Sequence, residues 1–563
     1  WYPEYKYLED YFSRLQYLLN CGEEQTDAAI INPVESLWGL TNERSYVNCF
    51  GSENPLICRL EREYYELFKA IRLGGGAADY IDEGVFEKYG KEENGRLVVG
   101  RKSYGKIILN GNYNLRSSTL EALKNFVKNG GLLIVAGELP RYLDGVRHDF
   151  SGELLGAKNV GFNPDEVLRL IRSDDVSVSE GNIVSETRVF AEGKAYFFLN
   201  RAENAVKTTI KIKNKLNPVE INLYDGEKRP VSFKRLGEEV VIEKEFGRDD
   251  SLALLFDGEN LKQENLTEKE AKFPDEFDYV LGEPNILPLD YADCFLDGGF
   301  FARGSVLDLD RKIREKFGVE QRHGEMIQPW FKEKFYPKPQ KLCRVMLKYR
   351  FIIGETIKDV SFMTEDETAE IRVNGRLLNA EKSYGTEIDE CFRLIPVDDD
   401  FLKPGENEIT VSFDFDERYD IEGSFLCGNF GVFESDFEND FKKNIKIDVL
   451  KTLPKKLKRE DFTTQGLKYF GGRITLQSPL KNGVYRLIAR DLPCAACVIN
   501  GKTAAFKPLL VDFEVLNESL SLTLAFTRQN TFGLDYSDKN SDKRSGLIPQ
   551  GFPEEVELYE LVP

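Results

Sequence analysis

Imidazole chemistry in this chain rests on two residues, His148 and His323, the whole histidine complement of 563 residues. Neither lies in a G-x-S-x-G context, which the sequence lacks, so a nucleophile elbow of that kind is excluded and surface or loop positions are the simpler reading. "GRKSYGKI" places Gly100, Gly105 and Lys106 at Walker A spacing. The next residue is Ile107 instead of the Ser/Thr that holds magnesium, and "KIILN" continues as a strand where phosphate binding needs a helix N-terminus. Cys494 and Cys497 in "PCAACV" lack the second ligand pair of a zinc ribbon and read as buried thiols. Oxygen-rich stretches suit calcium: Asp398-Asp399-Asp400, and Asp535 with Asp538, Asn540 and Asp542. The latter group lacks the glycine spacing of an EF-hand, so the expectation is no cofactor, with a structural calcium at Asp538, Asn540 and Asp542 as the weak alternative to a solvated loop.

Saccharide recognition asks for different residues: exposed aromatic faces for the apolar side of a pyranose, flanked by carboxylates and amides for its hydroxyls. Trp38, beside Glu35 and Ser36, follows directly on a parallel strand, where α/β sheets place ligands. Trp330 in "IQPWF" is the second candidate. Burial in a core or between domains is the competing reading for both tryptophans. No residue is assigned a catalytic role.

The elements that position these residues follow from periodicity. Tyr7, Leu8, Tyr11, Phe12, Leu15, Leu18 and Leu19 fall at helical spacing before Asn20-Cys21-Gly22. "DAAIIN", "GRLVVG", "KIILNG" and "GGLLIVAG" read as strands alternating with helices over Glu53 to Leu73 and Ser117 to Lys128, with a closing helix over Pro164 to Arg172. That pattern is an open parallel sheet covered on both faces. From about 176 to 258 the period changes to two, as in a small antiparallel β-sandwich, and the polar stretch 259–278 reads as a linker. Beyond it the chain is mostly β, interrupted by one helix around Ser305 to Phe317.

One turn is written twice. "EIRVNGR" (Glu370 to Arg376) and "CVINGK" (Cys497 to Lys502) each break an alternating strand with Asn-Gly, the pair suited to a type I′ hairpin. The first is followed by "IDECF", with Asp389 and Phe392, and "LKPGENEITVSFDF"; the second by "VDFEV", with Asp512 and Phe513, and "LNESLSLTLAF". This order resembles the galactose-binding-type jelly roll that accompanies catalytic barrels in glycoside hydrolase family 2 and its relatives. "NILPLDYADCFLDGG" is similar to the first strand of such a domain, and "TRQNTFGLDY" to the Arg-Asn-x-x-Gly segment near its end. "INPVESLWG", "ADYIDEGVF" and "YGKIILNGNYNLRSSTLEALKNFVKNGGLLIVAG" are similar to the flavodoxin-like domain that follows the barrel in family 106 α-L-rhamnosidase-like proteins; family 42 β-galactosidases carry a comparable domain.

The resemblance implies a flavodoxin- or amidotransferase-like α/β domain (23–175), a small β-sandwich (176–258) and two jelly rolls (279–440 with a helical insert, and 441–563), with helix 1–22 left from a preceding barrel. Amidotransferase chemistry itself is excluded, because "IILNGNYNL" offers no Cys at the elbow. In these families the catalytic carboxylates lie on a (β/α)8 barrel, which this chain does not encode. The resemblance therefore implies the non-barrel, C-terminal part of a glycoside hydrolase, with carbohydrate and the parent's barrel as partners. A stand-alone carbohydrate-binding or scaffold protein is the alternative. A net charge of -20 argues against nucleic acid, and no apolar run reaches the length of a membrane helix. Nine cysteines read as free thiols of a reducing compartment, so a cytoplasmic location is expected.

Overall fold

The computed structural model describes residues 2–42, 52, 54–262, 267–321, 329–366, 368–435, 448–490, 492–505, 509–533, 547–552 and 556–562. His323 and the calcium candidates Asp535, Asp538, Asn540 and Asp542 lie outside the described residues. The chain forms two units, 9–264 and 265–563 together with 1–8. Among the described residues no helix is long and apolar enough to cross a membrane.

The 9–264 unit contains a five-stranded, all-parallel sheet. Its strands, Ala28–Ile31, Asp79–Ile81, Lys106–Asn110, Leu132–Ala136 and Lys158–Asn159, lie side by side in the order 2-1-3-4-5 by chain position. The three central strands are buried along nearly their whole length, as helices on both faces require. Pro55–Leu73 is started by the Asn54 side chain, which accepts from the Leu56 N–H, and it buries Ile57, Leu60, Leu67 and Ile71. Ser117–Lys128 buries Leu120, Leu123 and Phe126.

One difference from the sequence reading concerns this domain. "GRLVVG" is a strand, but of a three-stranded antiparallel sheet with Gly90–Glu93 and Lys102–Tyr104. Lys106 opens a parallel strand, so no helix N-terminus follows Gly100 and Gly105. The same unit holds a β-sandwich of a six-stranded and a four-stranded sheet, with Tyr196, Phe198, Phe246 and Phe256 in its core. The first helix, Tyr5–Asn20, is fastened to that sandwich: the Tyr11 hydroxyl lies 2.9 Å from Ser251 Oγ, and Arg14 donates to the carbonyls of Leu223 and Tyr224.

The 265–563 unit consists of two further sandwiches, one nested in the other. Thr267–Ala271 pairs with the last strand, Val556–Val562, and Glu276–Leu281 pairs with Arg473–Pro479. The described residues of 285–451 then form a separate sandwich before the chain returns. The expected linker 259–278 contains the strand Thr267–Ala271 and the start of Glu276–Leu281, and Asp448–Lys451 pairs with Gly431–Glu434 and Cys343–Ile353. Thr267–Ala271 reads as linker because it is an edge strand with Thr267, Glu268, Lys269 and Glu270 all exposed.

Both Asn-Gly turns form as expected, with φ of 49° and 82° at Asn374 and Gly375 and 44° and 84° at Asn500 and Gly501. Their surroundings repeat as well. Asn374 donates its N–H to the Glu408 carbonyl and accepts the Glu408 N–H on Oδ1; Asn500 makes the same pair of bonds with Ser521. Each amide also donates across to a carbonyl, of Phe401 and Glu514 respectively. In each sandwich the hairpin joins the long strand in one sheet while the Asp-aromatic strand crosses to the other.

Candidate functional site

The parallel sheet's order reverses between Ala28–Ile31 and Lys106–Asn110, the position at whose carboxyl ends doubly wound sheets place ligands. Glu35, Ser36 and Trp38 follow on the short helix Val34–Leu40. Ser36 is buried and clamps the neighbouring loop: its hydroxyl donates to the Asn114 carbonyl at 3.2 Å and accepts the Asn114 N–H at 3.0 Å. Glu35 accepts from Arg116 at 2.8 Å and 2.5 Å. The same guanidinium reaches Glu87, and the Arg116 N–H donates to Glu83 Oε2 at 2.9 Å.

Glu83 is 1% exposed. Burial pushes its carboxyl up to about 7, outweighing the Arg116 N–H that stabilises the ionised form. Asn112 donates to the Ile31 carbonyl and accepts the Asn110 N–H, closing the floor. The polar groups at the reversal point are therefore largely committed to one another. Of the three candidates here only Trp38, 67% exposed, faces solvent.

Trp330 belongs to the other unit, on the helix Pro329–Phe335, and is 63% exposed. Asp398, Asp399 and Asp400 face Lys382, the Asp359 N–H and Arg376 respectively. Among the described residues no group of three His, Cys, Asp or Glu side chains is arranged to hold a metal. His148 bonds Glu153 at 2.7 Å and packs edge-on against Phe150. Cys497 is a core thiol whose pKa burial pushes well up.

A more open cleft, of about 680 Å³, lies within the 265–563 unit. Its walls come from both sandwiches: Pro288 and Asp290, the start of the helix Val306–Phe317, Glu365, Ile388 to Phe392, Glu422 to Phe425, and the turn Gln529 to Gly533. Aromatic edges line it, with Phe392 and Phe425 at 5.2 Å and 89°, and Phe425 and Phe532 at 6.3 Å and 77°. Phe532 is 57% exposed.

The turn that presents Phe532 is held from below. Asn530 is buried, donates its amide to the Ile548 carbonyl at 2.8 Å and accepts the Ile548 N–H at 2.9 Å. Gly533 has φ of 77°, and a Cβ there would press on Pro288 and Asp290 at 3.2 Å. Opposite, Ile388 has φ of 69°, a backbone region costly for a β-branched residue, at the one-residue connection between Tyr384–Glu387 and Asp389–Pro396. Asp389, the next residue, is exposed and lines the cleft. Glu365 is held above the ordinary carboxylate range by partial burial and then by the charges of Glu422, Asp389 and Asp420.

Sequence reasoning missed this cleft as a site. It had singled out Asp389, Phe392 and the "TRQNTFG" segment as marks of architecture, and the fold brings residues of all three to this cleft.

No protein-family model matches the sequence. No curated protein matches it. Among solved structures the chain is similar to a rhamnosidase from Novosphingobium sp. PP1Y, at 16% identity and a TM-score of 0.35, over 73% of this chain and 37% of that one. It is similar to an exo-carrageenase of GH42 from Bacteroides ovatus at 11% identity and a TM-score of 0.27, over 45% and 31% of the two chains. A GH42 beta-galactosidase from G. stearothermophilus matches at 13% identity and a TM-score of 0.28, over 41% and 40%. The chain spans about a third to two fifths of the length of these structures.

Proposed function

We propose that this chain is a carbohydrate-binding, non-barrel region of a glycoside hydrolase, and that the cleft beneath Phe532 holds the saccharide. The observation that carries the reading is the cleft itself: an exposed aromatic ring, Phe532, and several carboxylates line a space of about 680 Å³, within the range of small-ligand sites. The order 2-1-3-4-5 of the parallel sheet supports a flavodoxin-like domain, and the doubled hairpin supports two related jelly rolls, as the motif resemblance implies. The parallel sheet is open, whereas the barrel that carries glycosidase carboxylates in those families is closed by eight strands.

On this reading the chain binds glycan and does not hydrolyse it. Incubation of the purified chain with aryl rhamnosides and aryl galactosides releases no phenol, while the chain is retained by one of a panel of immobilised plant or bacterial polysaccharides. Turnover that survives purification overturns the non-catalytic reading, and absence of retention across the panel overturns the binding role.

A further inference from the structure

We infer that the saccharide site continues into a second cleft on the same sheet, and that its occupant is a linear glycan several units long, with Tyr384 as the second ring contact. The inference rests on the proposed reading of the cleft beneath Phe532 and extends it. The second cleft, of about 650 Å³, lies within the 265–563 unit. Ser361, Tyr384, Leu394 and Cys427 of the inner sandwich line it, together with Tyr279 and Pro454 of the outer one. Asp359 and Asn429, both exposed, add polar groups suited to sugar hydroxyls.

Both clefts draw on one face of the inner sandwich's five-stranded sheet. Alternate residues of a strand share a face, so Phe425 goes with Cys427 and Phe392 with Leu394. The first of each pair lines the Phe532 cleft and the second lines the new one, a step of about 7 Å along either strand. Each cleft has an exposed ring: Tyr384 is 53% exposed, and its hydroxyl lies 2.9 Å from Ser361 Oγ, which ties the ring to the sheet. Pairing runs from Pro288 through Phe425, Met363 and Leu394 to Tyr384, from one edge strand to the other. Gly533, next to Phe532, lies against Pro288, so the two rings stand over opposite edges. Four strand spacings put those edges about 19 Å apart. One pyranose cannot touch both rings; a chain of several units can.

The ground between the clefts is polar. Arg528 donates to Glu387, and both side chains are partly exposed. Glu387 directly precedes Ile388, and Arg528 directly precedes Gln529, two residues of the Phe532 cleft. The charges of both act on the thiol of Cys427, which lines the second cleft. A glycan that crosses from one ring to the other therefore meets a guanidinium and a carboxylate on the way, which bond its hydroxyls.

Isothermal titration of the intact chain tests the inference. The probes are the disaccharide, tetrasaccharide, hexasaccharide and octasaccharide released by partial acid hydrolysis of the polysaccharide that retains the chain most strongly. Affinity is expected to rise at least tenfold from the shortest to the longest. Tyr384→Ala lowers the long oligomers to the affinity of the short ones, Tyr384→Phe, which keeps the ring, retains most of the rise, and Phe532→Ala weakens every oligomer. Affinity independent of length, still weakened by Phe532→Ala, overturns the second cleft and leaves the first standing. A rise with length that survives Tyr384→Ala does the same. No retention on any polysaccharide overturns both.

Discussion

Glu83 offers a quantitative test of the α/β domain. Its carboxyl is buried at the reversal point of the sheet and displaced from the ordinary 4.5 to about 7. In the unfolded chain it loses its proton near the ordinary value, so between these two pH values the folded state binds more protons. Stability from this group is therefore fully present below about 4.5 and is lost as pH rises towards about 7. At about 1.4 kcal/mol for each pH unit, the displacement corresponds to about 3 kcal/mol between pH 4 and pH 8. Glu83→Gln removes the ionisation and keeps an oxygen for the Arg116 N–H, which donates to Oε2 at 2.9 Å. Because the chain has several cooperative units, the assay is local: amide hydrogen exchange of peptides covering Ile107 to Leu109, in wild type and variant, at both pH values. The variant gains about 3 kcal/mol of protection relative to wild type as pH rises from 4 to 8. A wild-type-to-variant difference that does not change with pH refutes the argument that burial controls this carboxyl.

Other perturbations follow from single contacts. Asn374→Ala removes bonds to Glu408, Phe401 and Asn407 and forces a Cβ residue other than Asn into a left-handed turn, so it destabilises the inner sandwich by about 2–4 kcal/mol. Asn374→Gly keeps the turn and loses less; urea unfolding followed by hydrogen exchange of the Gly405–Phe415 strand separates the two, and equal losses contradict the turn-strain component. Arg314 is 0% exposed and bonds Asp310, Asp420 and the carbonyls of Glu320 and Tyr419. Arg314→Met leaves buried carboxylates without that partner and costs about 3–5 kcal/mol in the same assay. A loss below about 1 kcal/mol contradicts a structural role for this network.

How much was legible in the sequence depends on where each element's partners lie. The strands Ala28–Ile31, Lys106–Asn110 and Leu132–Ala136 are continuous apolar runs because helices cover both faces, and a run of that kind can be read locally. Asp79–Ile81 and Lys158–Asn159 are three and two residues long, too short to carry a period. The nesting of one sandwich in the other was illegible for a different reason: Thr267–Ala271 is identified as a strand by Val556–Val562, nearly three hundred residues away. The Asn-Gly hairpins were legible because positive φ at both central positions is a local demand that few residues meet.

The site was harder. Glu35 and Ser36 have the polarity of ligand contacts, yet Arg116 and Asn114 take up that polarity inside the domain. Spacing cannot distinguish a side chain that bonds its neighbours from one that awaits a ligand. The cleft draws on Asp290, Glu365, Asp389, Glu422 and Phe532, which only the fold brings together.

Location of the bound glycan tests the central claim most directly. Amide hydrogen exchange of the intact chain is measured with and without the polysaccharide that retains it most strongly, and again with Phe532→Ala. Slowed exchange in peptides covering 388–392, 422–425 and 529–533, absent in the variant, is the expected result. Protection confined to peptides around Trp38 or Trp330, or unchanged by Phe532→Ala, contradicts it.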